Sequence, residues 1–221
     1  MREKLRRNHI LAYFLGLLIL TLGVAASVKS RLGCSPVASV PYTITVLTGL
    51  EMGRATILWQ SILVLVQFLI LRRDFSPWTL LQLLAGLAFG YFTSFSNWVF
   101  SFLPEAENLF ARCGLTVLSI LMMGFGVWMY STANLVNLPS EGIVMVIAEK
   151  LKKPFHKIKV CFDVFSVGSS AIACLLVLGA LGSVGAGTIV AAVGVGTMVG
   201  IWGRLLGGRL RAFLEKDTRH A

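Results

Sequence analysis

Six stretches of nearly unbroken apolar residues, 10–28, 55–71, 78–103, 113–130, 160–179 and 182–206, run along the chain. Each approaches the roughly 20 residues that an α-helix needs to cross about 30 Å of hydrocarbon. The strict apolar–polar alternation of a membrane barrel is missing, so helices are the remaining way to satisfy the backbone in lipid. The pattern predicts an all-α, polytopic membrane helix bundle of about six transmembrane helices.

Two shorter segments, 36–50 and 139–151, interrupt this series, each opening on a proline. Proline in a first helical turn sacrifices no hydrogen bond, and Ser35 and Asn137 stand just ahead as candidate caps. At 1.5 Å per residue neither segment crosses the hydrocarbon comfortably, so both read as short re-entrant or interfacial helices.

The order of elements is written twice. LGVAASVKSRLGCSP in the first half is echoed by FGVWMYSTANLVNLP in the second, and a constant offset of 103 carries Gly23 onto Gly126, Leu32 onto Leu135 and Pro36 onto Pro139. Later, an offset of 106 carries the stripe Gln82, Gly86, Gly90, Ser94 onto Thr188, Ala192, Gly196, Gly200. Small residues at this spacing let helices approach closely in lipid, so Gly86, Gly90, Gly196 and Gly200 are expected to pack helices. The chain therefore reads as a single membrane domain, with repeat 1 at about 10–103, repeat 2 at about 113–207 and a basic cytoplasmic tail at 208–221. Three crossings per repeat force the second copy to enter from the opposite side, which makes the halves inverted.

Composition strengthens the membrane assignment: 56% of residues are hydrophobic, 14% are charged and the mean hydropathy is +0.80. The net charge of +10 would suit nucleic acid if it formed one face, but the basic residues gather at span ends. With six crossings and a cytoplasmic N-terminus, only Lys29, Arg31, Arg54 and Arg112 fall outside, a positive-inside pattern. Eight crossings would give the same balance, and the short segments together with the acidic loop at Glu105 and Glu107 favour six. The basic start followed by an apolar run resembles a signal peptide, but the run has an internal second copy and is expected to be retained. The four cysteines lack metal or redox spacing and read as free thiols.

Candidate chemistry lies in two places. Asp163, inside the fifth apolar run, is a costly intramembrane carboxylate and thus a candidate for proton or cation coupling, with Gln60 at its counterpart position; pairing with Lys159 at i−4 is the structural alternative. The repeated turns supply Lys29, Arg31, Ser35 and Pro36 in one half and Asn134, Asn137, Pro139 and Glu141 in the other. Polar side chains ahead of a short helix N-terminus form a candidate solute site, and Lys29 with Arg31 favours an anion. Interfacial anchoring by the two cations and helix capping by Ser and Asn are the alternative roles. The glycine run at 185–188 lacks the strand and the GK[ST] of a phosphate loop. No HExxH, carboxylate pair or nucleophile–base arrangement stands out, so neither an enzyme nor a bound cofactor or metal is expected.

The two echoed phrases, together with VGAGTIVAAVGVGTMVG, resemble the YczE/YitT-type family of bacterial integral membrane proteins over nearly the whole length. Its pattern of a glycine-containing helix, an LG-x-x-P turn and a GxGT start to the last helix is met here, except that Val136, Asn137 and Leu138 replace the glycine-bearing turn in the second copy. The resemblance implies the bacterial cytoplasmic membrane and about six helices; it supplies neither substrate nor catalytic residues. The expected function is a small secondary transporter or permease for an unidentified small solute, anionic and ion-coupled, with both termini cytoplasmic. Expected partners are membrane lipids and that solute, not nucleic acid, with a homo-oligomer left open. A non-transporting scaffold or assembly regulator, a passive channel and a lipid-handling protein are the alternatives.

Overall fold

The computed structural model describes residues 7–182 and 184–215, among which no strand occurs. Its helices are α1 (Arg7–Ser30), α2 (Pro36–Thr48), α3 (Met52–Leu71), α4 (Leu81–Ser101), α5 (Leu109–Ala133), α6 (Pro139–Lys150), α7 (Phe155–Leu178) and α8 (Ala186–Glu215). Six of them are long and apolar enough to cross a membrane, in the order long, short, long, long, written twice. Residues 208–215 of the basic tail continue α8, while 216–221 lie outside the described residues.

Local chemistry sets the helix ends. Glu51 caps α3 by accepting from the N–H groups of Gly53 and Arg54, and Asn108 caps α5 by accepting from Ala111 N–H at 2.7 Å. Pro36 and Pro139 open the two short helices as expected. The expected caps differ: Ser35 stands at the N-cap of α2 without a side-chain cap bond, and the N-cap of α6 is Leu138. Asn137, one residue too early to cap, donates instead to the Met145 sulfur. Arg31 and Asn134, related by the 103-residue offset, both adopt left-handed backbone just after their long helices, so the repeated turns share a conformation as well as a sequence.

Helices α1 and α5 form the centre and run antiparallel. A Cβ on Gly16 would strike the backbone of Tyr130, and one on Gly23 would strike Met123. His9 at the start of α1 hydrogen-bonds the carbonyl of Ala133 at the end of α5. The contacts are reciprocal. Gly23 meets Met123 and Gly126 meets Leu20, and the offset of 103 exchanges these two pairs. Such exchange is what a twofold axis perpendicular to two antiparallel helices produces.

Most of the surrounding packing follows the same exchange. Helix α4 flanks α1 as α8 flanks α5, while α2 packs on α7 as α6 packs on α3. One pair breaks it. Helices α3 and α4 pack along their lengths, with Gly90 against Gly53 and Ile57, whereas the equivalent α7 and α8 stand apart.

The glycine stripe divides along this line. Gly90 meets α3 closely, and a Cβ on Gly86 would touch Gln60 and Pro139. Gly196 and Gly200 were expected to pack in the same way. A Cβ at either meets nothing within 4 Å, because α7 is withdrawn from the face on which they lie.

Candidate functional site

The gap between α7 and α8 leads into a cavity of about 350 Å³. Its floor is the start of both short helices, Ser35, Pro36 and Val37 from α2 and Leu138, Ser140 and Glu141 from α6. Leu20, Met123 and Val127 of the central pair form an apolar back wall, and Val195 and Val199 of α8 form one side. The other side, from α7, carries His156, Lys159 and Asp163. Two helix N-termini, each an end of partial positive charge, therefore converge on one mostly apolar chamber.

The two N-termini are satisfied differently. At α6, the Gln60 side chain of α3 reaches across and its Oε1 accepts from the Ser140 N–H at 3.1 Å. Glu141 in the same first turn adds a favourable negative charge and accepts a hydrogen bond from the buried Tyr130 hydroxyl. At α2 there is no acidic residue in the first turn, and the Ser35 Oγ is buried without a hydrogen-bond partner. Pro41 within α2 also removes the N–H that would have bonded the Val37 carbonyl.

The expected site residues separate into groups. Ser35, Pro36, Glu141, Asp163 and the packing candidate Gly196 line the cavity. Pro139 opens α6, and its carbonyl accepts from the Gln67 amide of α3 at 3.3 Å. Gln60 holds the Ser140 N–H behind the floor. Lys29 and Arg31 lie elsewhere, bridged to the two Glu105 oxygens at 2.7 and 3.1 Å in the loop before α5. Asn134 and Asn137 serve the turn beyond α5.

The cation in the cavity is Lys159, which forms an ion pair with Asp163 one helical turn on. That pairing is the structural alternative raised by the i, i+4 spacing. Both partners line the chamber. His156 carried no separate signal: its participation depends on α6 and α7 facing the same space, which no local pattern reports.

An all-helical chain with six membrane-length apolar helices and a polar-floored chamber between them defines a multi-pass membrane protein. It belongs to a family of unknown function, DUF6198, which it matches over residues 6–204. It is 29% identical over 140 residues to the uncharacterized membrane protein YczE of Bacillus subtilis (strain 168), a match covering 62% of each chain. No solved structure matches. These matches support the YczE-type resemblance at the level of the family.

Proposed function

We propose that the protein is a small secondary transporter or permease of the bacterial cytoplasmic membrane, built from two inverted halves, with both termini cytoplasmic. The observation that carries this reading is the main broken equivalence: α3 and α4 are closed while α7 and α8 are open, within a frame of mostly exchanged contacts. In an inverted-repeat transporter the opposite state is obtained when the halves trade conformations. Here that state would close α7 on α8, open α3 from α4, and expose the same floor from the other side.

The short helices are the re-entrant elements of this scheme, presenting their N-termini to the solute. Asp163, held by Lys159, is the group available to couple proton or cation movement, and no catalytic step is required of any residue. The positive-inside balance supports the assigned orientation. An anion-binding role passes from Lys29 and Arg31, which are committed to Glu105, to the α2 N-terminus and Lys159.

The test is closure of the gap. In a cysteine-free background, cysteines at Val160 and Gly196 should cross-link under oxidation in native membranes, because the alternate state brings α7 against α8. A pair that never cross-links, under any ionic gradient, rejects the two-state reading. In proteoliposomes, solute-driven proton movement that Asp163→Asn leaves unchanged rejects the coupling role.

A further inference from the structure

We propose that the cavity binds an anionic amphiphile, with a compact carboxylate or phosphate head at the N-terminus of α2 and an apolar chain lying through the α7–α8 gap into the bilayer. This deepens the transporter reading by naming a substrate class and its route.

The head assignment rests on two independent features. In the first turn of α2 Pro36 has no N–H and the Ala38 N–H bonds the Ser35 carbonyl at 3.0 Å, which leaves the Val37 N–H as the donor that neither an N-cap side chain nor a first-turn carboxylate satisfies. Beside it the Ser35 hydroxyl, only 3% exposed, lines the cavity with no partner for its Oγ. A buried hydroxyl is costly to leave unpaired, and beside an open N–H at a positive helix end it fits a group rich in acceptors. The acidic residues present are already engaged, Glu141 by the Tyr130 hydroxyl and Asp163 by Lys159. Lys159 contributes positive charge to the same chamber.

The chain assignment rests on the walls. Leu20, Met123, Val127, Val195 and Val199 offer no polar group to a small hydrated anion, which would lose its water there without compensation. The cavity volume of about 350 Å³ is near the lower end of the roughly 300–1,000 Å³ typical of small-molecule pockets. It accommodates a head and the first part of a chain. The rest has a way out: Val160 on the α7 edge is 61% exposed, and Gly196 on the α8 edge presents no side chain. An apolar edge of this kind opens to lipid at no desolvation cost to a hydrocarbon chain, whereas an aqueous solute gains nothing from it.

The experiment is thermal unfolding of the full-length protein in dodecyl maltoside, whose head carries no charge. Dodecanoate at pH 8 and dodecyl phosphate are titrated against dodecanol, acetate and inorganic phosphate. The anionic amphiphiles should raise the melting temperature saturably, and their relative potency assigns the head as carboxylate or phosphate. Dodecanol and the small anions should not. Ser35→Ala and Gly196→Leu should each raise the half-saturating concentration at least tenfold, while Gly200→Leu, outside the cavity lining, should leave it unchanged. Leucine at 196 or 200 meets no neighbouring atom at its Cβ, and the unliganded melt of each variant confirms that it folds.

Equal stabilisation by dodecanol overturns the head site, and equal stabilisation by inorganic phosphate overturns the amphiphile. Indifference to Gly196→Leu overturns the cavity as the place of binding. None of these outcomes depends on cross-linking between α7 and α8, so the substrate class can fail while the two-state reading stands, and the reverse.

Discussion

Gln60 of α3 accepts the backbone N–H of Ser140 at 3.1 Å, so a side chain of the first half closes the N-terminus of the short helix of the second. Its counterpart Asp163 does not repeat the arrangement. It pairs with Lys159 on its own helix and leaves the α2 N-terminus facing the cavity. Two positions equivalent in the repeat thus divide the work: one seals a helix end and the other keeps an ionisable group beside an open one.

Gln60→Leu keeps the side-chain volume and removes the acceptor, leaving the buried Ser140 N–H unsatisfied. A loss of about 1–3 kcal/mol is expected, the usual cost of an orphaned buried donor. Thermal unfolding in detergent reads it, and a variant melting with the parent would mean the bond carries no net stability.

Gly16→Val and Gly126→Val place a side chain against backbone across the α1–α5 contact, at Tyr130 and Leu20 respectively. Overpacking of this kind costs roughly 1–3 kcal/mol, more where backbone cannot yield, and reduced folded yield with a lower melting temperature should follow. Gly114→Ala and Gly168→Ala, with nothing within 4 Å of the added Cβ, serve as matched controls. They should match the parent or gain up to about 1 kcal/mol from helix propensity.

Glu105 sits beside Lys29 and Arg31, and its carboxyl is held below its ordinary value of 4.5, first by the hydrogen bond from Lys29 and then by the Arg31 charge. A carboxylate with a lowered folded-state pKa stabilises the fold fully above its unfolded value and loses that contribution as pH falls through the lowered one. The melting difference between the parent and Glu105→Gln should therefore be constant at neutral pH and shrink below the ordinary value. Glu105 is exposed, so the difference is small and decreases with added salt.

Thiol reactivity should divide the cysteines by burial. Cys113 and Cys161 are exposed near the starts of α5 and α7, whereas Cys34 and Cys174 are buried against the packed helices. A membrane-permeant maleimide is expected to add two labels to the folded chain and four after denaturation in sodium dodecyl sulfate, as counted by intact mass. Rapid labelling of Cys34 in the folded protein would contradict the packing around the first repeated turn.

The membrane class, the six long helices and the two short ones were legible in the sequence alone because each depends on local information. An apolar run reports its own length against the bilayer, and a proline at a helix start constrains its own backbone. The echo of the two phrases was legible for the same reason, and the two turns at Arg31 and Asn134 both take a positive φ. Side-chain partnership was not. In lipid every outward face is apolar, so hydropathy does not say how a helix is rotated or which neighbour it meets; close packing and interhelical hydrogen bonds decide. Only the tertiary structure therefore sent Lys29 and Arg31 to Glu105, brought Ser35, Glu141, Lys159 and Asp163 around one cavity, and left Gly196 beside an opening while Gly90 lies against α3.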